Sequence, residues 1–167
     1  MKTLLFSALI AAGVTCHAQA DDHRHKTKTA EVPEFIRNQF AEDFPSAQNV
    51  HWKASAGYNE ARADIDRQPM SVFYDTEGEQ MGTTRNVQLS DLPKAGREDI
   101  QKKYAQAVIG EIIKYTDNPE NDHDVYDLND GRTTDVNYFV EIENNGKDFI
   151  LKVNDYGEVS YFDKAPR

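Results

Sequence analysis

Histidine and carboxylate side chains are the groups of this chain that could carry out acid–base chemistry. Beyond residue 30, the imidazoles are those of His51 and His123. A hydrolytic site needs a base held against a nucleophile. The sequence contains no His-Glu-x-x-His run, no Gly-rich phosphate loop and no nucleophile elbow. We therefore predict no catalytic residue and no enzymatic activity.

Two stretches contain the types of ligand that hold metal ions. Cleavage after Ala20 would create the N-terminus Asp21-Asp22-His23, whose amine, two deprotonated amides and imidazole form a square-planar nitrogen site suited to Cu(II) or Ni(II). Residues 117–133 are rich in Asp and Asn, but their spacing does not fit a calcium-binding EF-hand loop. The favoured interpretation is that both stretches are solvated and hold no metal or cofactor. A metal- or small-ligand-binding envelope protein is the alternative.

Residues 1–20 have the pattern of a secretory signal peptide. Lys2 provides a basic start, residues 4–14 form an apolar run too short to span a bilayer, and Ala18-Gln19-Ala20 is a small-x-small cleavage pattern. Cleavage at that pattern removes Cys16, the only cysteine, which excludes thiol catalysis and cysteine–metal sites from the mature chain. We therefore expect a periplasmic or secreted protein without a membrane span.

The charge of the processed chain indicates which classes of partner it disfavours. With 18 basic and 29 acidic residues left after cleavage, the net charge would be −11. Nucleic-acid binding depends on clustered Lys and Arg that neutralise phosphates, so we predict no nucleic-acid partner. Anionic membrane surfaces are disfavoured for the same reason. The acidity favours solubility, and a preference for basic partners is a narrower interpretation.

Two segments with the same order of helix, strand and turn patterns form the framework that would position a site. Val32-Pro33 begins a helical pattern that reaches Phe44, and Leu92-Pro93 begins another that reaches Tyr104 over the same distance. Each is followed by segments that alternate apolar and polar residues, as strands do. Each half also ends in a similar turn, Asp75-Thr76-Glu77-Gly78-Glu79 in one and Asn154-Asp155-Tyr156-Gly157-Glu158 in the other. A unit of this length present only twice is typical of one domain with two like halves rather than of a solenoid.

The order of these patterns predicts an α+β fold. We expect two α-β-β-β-β repeats that form one antiparallel sheet, with both helices on one face and the other face uncovered. The predicted organisation is a signal peptide at 1–20, a flexible leader at 21–30, and repeats at 31–89 and 90–163. The stretch at 117–133 has no counterpart in the first repeat and is an insertion.

The order and spacing of these features resemble the PepSY-like, β-lactamase-inhibitor-like proteins of bacterial envelopes. The resemblance covers residues 31–163 and implies an exported domain of two repeats with a non-catalytic role in protein binding. Characterised inhibitors of this kind carry disulfides within their repeats, and this chain has none, so the resemblance does not establish inhibition of a β-lactamase. The matching positions are Val32-Pro33, Phe40, Phe44-Pro45-x-Ala47, Asn49-Val50-x-Trp52, Tyr58, Asp75-x-x-Gly78, Leu92-Pro93, Lys103-Tyr104, Tyr138 and Gly157.

Tyr58 and Arg62 are candidates for contact with a partner protein. They fall on the opposite alternation from Ala61 and Ala63, so we expect them to lie on the uncovered face with Glu60. Tyr and Arg contribute disproportionately to binding at protein interfaces. A solvated strand surface without a partner is the alternative interpretation.

The strand near residues 107–115 is apolar on both alternations. If Val108 and Ile112 point into the core, Ile109 and Ile113 point away from it, either beneath other parts of the chain or in an exposed patch that marks a binding site. Asp122-His123-Asp124 in the insertion could reach into a partner's cleft. The sequence thus predicts a protein-binding, and in one interpretation inhibitory, module whose partner is an unidentified envelope or extracellular protein.

Overall fold

Eight strands lie side by side in chain order, and each pairs antiparallel with the next. The computed structural model describes residues 31–118 and 135–165. A short 3-10 turn, Leu89–Asp91, joins the two halves. The elements are α1 (Glu34–Asp43), β1 (Gln48–Ala54), β2 (Asn59–Ile65), β3 (Gln68–Tyr74), β4 (Gln80–Asn86), α2 (Lys94–Lys103), β5 (Val108–Asp117), β6 (Val136–Asn144), β7 (Lys147–Asn154) and β8 (Val159–Lys164).

Each helix buries one side against its own half of the sheet. Ile36 and Phe40 of α1 are buried, and the ring of Phe40 meets that of Trp52 edge-on with centroids 5.3 Å apart. Their spacing of four residues puts both side chains on one side of the helix. In α2, Ile100 is fully buried and belongs to the same apolar cluster as Ile112. The core is therefore two apolar clusters, one beneath each helix.

Both clusters lie on the same face of the sheet, as the strand register shows. Val72 of the α1 cluster lies opposite Thr83, and Thr83 lies opposite Thr116. Ile112 of the α2 cluster is four residues from Thr116 on one strand, and an even spacing keeps side chains on one face. The predicted fold, an antiparallel sheet with both helices on one side, is confirmed, and the described residues place no helix on the opposite face.

The two halves match in the hydrogen bonds at the helix ends. Each helix begins after a proline, whose missing N–H would have had no partner there. Each is followed directly by an aromatic residue, Phe44 or Tyr104, whose backbone N–H donates to the carbonyl four residues back at 2.9 and 2.8 Å. Ala47 and Ala107 then donate to the carbonyls of those aromatic residues, both at 3.0 Å. Equivalent positions in this part of the halves are therefore numbered 60 apart.

The turns that close each half also match. The side chain of Asp75 accepts hydrogen bonds from the backbone N–H groups two and four residues later, at 2.8 and 2.9 Å. The side chain of Asn154 does the same at 3.1 and 2.9 Å. Gly78 and Gly157 hold the same position in these turns, with φ of +93° and +86°, a conformation that glycine adopts without steric cost. The predicted duplication is present at the level of individual hydrogen bonds.

The helices differ in how closely they approach the sheet. Gly96 stands at the position of α2 that is equivalent to Ile36 of α1. A Cβ added to Gly96 would lie 2.5 Å from Cγ1 of Val153 and 3.2 Å from the carbonyl oxygen of Gly157. No side chain fits there, so the backbone of α2 rests directly on β7 and the turn after it.

Candidate binding face

The face of the sheet opposite the helices is the candidate site, and we call it the uncovered face. Arg62 lies on it because its strand neighbours Ala61 and Ala63 are buried beneath α1. One row of directly paired, polar side chains crosses seven strands of this face. The row consists of His51, Arg62, Ser71, Thr84, Tyr115, Asn137 and Asn154.

A groove of about 750 Å³ occupies the first half of this face. The row residues His51, Arg62, Ser71 and Thr84 contribute to its lining, together with residues at the ends of β2, β3 and β4. Among the residues that the structure describes, no Phe, Tyr or Trp side chain lines it. The first half therefore offers a concave surface made mainly of hydroxyl, amide and charged groups.

A buried carboxylate holds Arg62 in place at this groove. The side chain of Glu60 is 3% exposed, and its two oxygens accept hydrogen bonds from Nε and Nη2 of Arg62 at 2.7 and 3.2 Å. Ser71 also donates its hydroxyl to Glu60, at 2.9 Å. The bond to Glu60 raises the pKa of Arg62. A buried charge needs such partners, so this pair is a fixed structural element whose guanidinium side chain remains 41% exposed.

Tyr58 lies beside this pair on the uncovered face, as predicted. Its ring meets that of Phe73 edge-on, with centroids 5.8 Å apart, and Phe73 lies opposite Glu60 in the register of β2 and β3. Phe73 is buried and Tyr58 is half-buried. The aromatic contact fixes the Tyr58 ring at the margin of the groove-bearing half.

Apolar side chains form a ledge on the second half of the uncovered face. Ile113 lies directly opposite Phe139, and the ring of Phe139 meets that of Phe162 edge-on with centroids 4.9 Å apart. All three side chains are half-buried. Edge-to-face aromatic pairs add stabilisation beyond the area that they bury. We call these three residues the apolar ledge.

Tyr115 lies where the two halves of the sheet meet, at the pairing of β4 with β5. Tyr115 lies opposite Thr84 in the row, and its O–H donates to Oδ1 of Asp117 at 2.8 Å. Burial raises the pKa of Tyr115, and its bond to Asp117 raises that pKa further. Asn86, next along β4 on this face, donates its amide to the carboxylate of Glu111 at 2.8 Å, which links the groove to β5. The bond between Asn86 and Glu111 thus joins the two halves on this face.

The prediction that Ile109 points away from the core is wrong. The register of β5 and β6 shifts between Ile109 and Ile112, so that both residues pack against the α2 cluster. Such a bulge inserts an extra residue and exchanges the faces of the side chains before it. For the same reason Val108, predicted to point into the core, is 61% exposed. Ile113 lies beyond the bulge and is on the uncovered face, as predicted.

Other candidate residues lie outside the described part of the chain. These are Asp122, His123 and Asp124 of the insertion and the Asp21-Asp22-His23 segment, so their roles stay predictions. Among residues 31–118 and 135–165, no three His, Cys, Asp or Glu side chains gather as a metal site would require. No helix in these same ranges is long and apolar enough to cross a bilayer.

Sequence reasoning did not foresee the roles of Glu60, Phe139 and Phe162 on this face. Glu60 stands two residues from Arg62, which puts both on one face, but that spacing does not reveal that the carboxylate is buried. Phe139 could have been assigned from the alternation in β6. Its contact with Phe162 depends on the register of β7 and β8, which shifts between Ile150 and Leu151.

The likeness of this chain to known proteins is one of structure. No family model matches it, and no curated protein matches it. The PepSY-like part of the resemblance therefore stays a prediction.

Several solved structures share the fold. A BLIP-like protein from Bacteroides fragilis is 18% identical, with a TM-score of 0.62 over 80% of this chain and 87% of that one. A DUF2874 family protein from Bacteroides uniformis is 14% identical, with a TM-score of 0.62 over 77% and 86%. A protein from Bacteroides eggerthii, provisionally described as periplasmic, is 13% identical, with a TM-score of 0.62 over 78% and 86%. At these identities the likeness shows the fold alone, an α+β domain of the BLIP-like kind.

Proposed function

We propose that this protein is a non-catalytic, exported module that binds another protein through its uncovered face. The proposal rests on two features of one face of the sheet. Arg62 is held in position in one half, and the apolar ledge lies in the other. A fixed arginine and aromatic anchors are the residue types that dominate binding energy at protein interfaces. Two similar structures, a BLIP-like protein and one provisionally described as periplasmic, support an exported location and a protein partner.

Preorganisation is the physical advantage of this face. Association normally costs the side-chain freedom of the residues that become ordered. Glu60, which itself accepts a hydrogen bond from Ser71, already restrains Arg62, and Phe162 already restrains Phe139, so less freedom remains to be lost on binding. Inhibition of an enzyme partner, by covering its active site, is the narrower form of this proposal.

The test is capture of a partner from an envelope extract of the source organism, followed by binding measurements with the purified partner. Thr84→Arg fills the groove, and Ile113→Lys puts a charge on the apolar ledge. We expect each change to weaken binding about tenfold or more, as the loss of a central contact does.

The matched control is Tyr161→Lys. Tyr161 is 61% exposed and lies opposite Leu151 of the α2 cluster, so it is on the helix side of the sheet. Binding should survive this change, and thermal unfolding of all three variants checks that they remain folded. A partner that binds the two uncovered-face variants as tightly as the unmodified protein would refute the proposed surface.

A further inference from the structure

Five carboxylates gather at one end of the uncovered face, and we call this group the acidic end. Glu141 and Glu143 follow Phe139 at even spacings on β6, so they lie on the same face. Asp148 lies opposite Glu143, and Ile150, opposite Glu141, is paired in turn with Asp163. The fifth member, Glu111, lies in the β5 bulge, and its backbone N–H donates to Oε2 of Glu141 at 3.3 Å.

These carboxylates share their face with Lys152, which lies opposite Phe139, but none of the five forms an ion pair with a described residue. The ion pairs found within residues 31–118 and 135–165 involve other acidic side chains and none of these five. Glu143 and Asp148 are both exposed and directly opposite each other, an arrangement in which like charges destabilise a sheet. The isolated protein thus retains a repulsion that a cation would relieve.

Apolar side chains are interleaved with the acidic end. Val108, 61% exposed, lies opposite Glu143 on the side away from Asp148. The apolar ledge begins two residues before Glu141, at Phe139. A ligand that lies across β5 to β7 would therefore meet charged and apolar groups in turn.

We infer that the partner of the uncovered face presents a basic segment in which Lys or Arg side chains flank an apolar one, and that this segment binds the acidic end. This inference rests on the proposed function and names the chemistry of the partner. The basic groups would meet the carboxylates of the acidic end, and the apolar group would cover Val108 or the ledge. The bond from Asn86 to Glu111 makes the acidic end continuous with the groove, so the same segment has a path into the first half.

Other ligand classes fit this end less well. Nucleic acids and anionic lipid surfaces carry the same sign of charge as the five carboxylates and would be repelled. A divalent cation needs several oxygens that converge on one point. Within the described ranges, no three acidic or imidazole groups do so. A cationic protein segment satisfies the charge and the interleaved apolar groups together.

The probe is a synthetic peptide of about 12 residues in which Lys alternates with Leu, compared with a peptide in which Glu replaces each Lys. The processed full chain should bind the Lys peptide and not the Glu peptide. Binding should weaken as the salt concentration rises from about 50 to about 300 mM, because exposed charges are screened. Titration calorimetry at both salt concentrations measures this.

The variant pair Glu143→Lys and Asp148→Lys, made together, reverses the local charge. The two positions still carry like charges, so the mutual repulsion, and with it the effect on folding, changes little. The control, Glu42→Lys with Glu98→Lys, changes the net charge equally on two exposed helix positions of the opposite side. We expect the first pair to weaken binding of the Lys peptide about tenfold or more and the control to weaken it less than about twofold.

Three results would overturn the inference. These are equal losses in both double variants, which would indicate net charge alone; unchanged binding in Glu143→Lys/Asp148→Lys; and equal or tighter binding of the Glu peptide. The proposed function is tested separately, since a partner lost with Ile113→Lys but insensitive to Glu143→Lys/Asp148→Lys would uphold the uncovered face and refute the basic segment.

Discussion

The two halves of the uncovered face share a backbone plan and differ in chemistry. In the first half, the charge of Arg62 is matched by a buried Glu60, and the surface is a polar groove. In the second, apolar side chains lie beside carboxylates that form no ion pair with a described residue. The hydrogen bonds that end the helices and close the turns are the same in both. The two halves thus share their backbone hydrogen bonds and differ in the side chains that face away from the helices.

The largest expected effect lies in the first half. Arg62→Ala should destabilise the protein by about 3 kcal/mol, the lower end of the range for breaking a buried ion pair, because Arg62 keeps some contact with solvent. Glu143→Ala, which removes an exposed and unpaired carboxylate, should change stability by less than about 0.5 kcal/mol. Urea denaturation measures both values.

Removal of both partners provides the sharper form of this test. In Glu60→Ala/Arg62→Ala no buried charge is left unpaired, so part of the loss should be recovered. Strict additivity of the two single losses would show that the pair is not coupled, and the contrast between the halves would fail.

The second prediction concerns the close contact between α2 and the sheet at Gly96. Helix propensity alone would make Gly96→Ala stabilising by up to about 1 kcal/mol. The added methyl group would lie 2.5 Å from Val153 Cγ1, so we expect destabilisation by about 1 to 3 kcal/mol instead. The sign of the change in the free energy of unfolding decides between these outcomes. Val153→Ala should relieve the clash, making Gly96→Ala/Val153→Ala less destabilised than the sum of the two single changes.

The third prediction is a loss of stability at alkaline pH. Tyr74, beneath α1, donates its O–H to Oδ2 of Asp43 at 2.8 Å; burial, and then this bond, raise its pKa. Tyr115 is affected in the same way on the uncovered face. A folded-state pKa above the unfolded value near 10 contributes stability that is complete below pH 10 and is lost as the pH rises towards the folded value. We expect each phenol to account for a loss of about 1 kcal/mol by pH 11.

Tyr74→Phe and Tyr115→Phe should each flatten the alkaline slope of the free energy of unfolding measured in urea between about pH 8 and 11. Tyr161→Phe is the control, because Tyr161 is 61% exposed. An unchanged slope in both buried-position variants would contradict the role given to these phenols.

The smallest effect is expected at the acidic end. Glu143→Gln removes the repulsion between Glu143 and Asp148 and should stabilise the isolated protein by a few tenths of a kcal/mol. The gain should shrink as salt is added, because both side chains are exposed. Guanidinium is itself a salt, so thermal unfolding at low and high salt is the appropriate measurement. A destabilised variant would mean that Glu143 has a favourable partner in the folded protein.

Local patterns account for most of the fold. The residue types of Asn145-Gly146 predict a two-residue hairpin turn, and both residues have positive φ, 53° and 71°. The turn at Asp66-Arg67 has similar backbone angles, 52° and 65°, but Arg67 carries no such signal. Turn residues identify a turn where glycine supplies the conformation, and they miss one that the flanking strands impose on an ordinary residue.

The candidate site was less predictable, because its details depend on pairing between distant strands. Alternation placed Tyr58, Arg62 and Ile113 on the uncovered face. It failed at Ile109, since a bulge in β5 is set by its pairing with β6. The burial of Glu60 likewise depends on its neighbours on β3, which include the Ser71 hydroxyl.

The chain-order arrangement of the strands has a consequence for assembly. Every strand finds its partner in the next strand along the chain, so each pairing closes a comparatively short loop and can form without waiting for the rest of the molecule. A chain delivered end-first and unfolded could therefore build its sheet progressively from the end that arrives first. No internal disulfide would contribute, since the sequence contains a single cysteine.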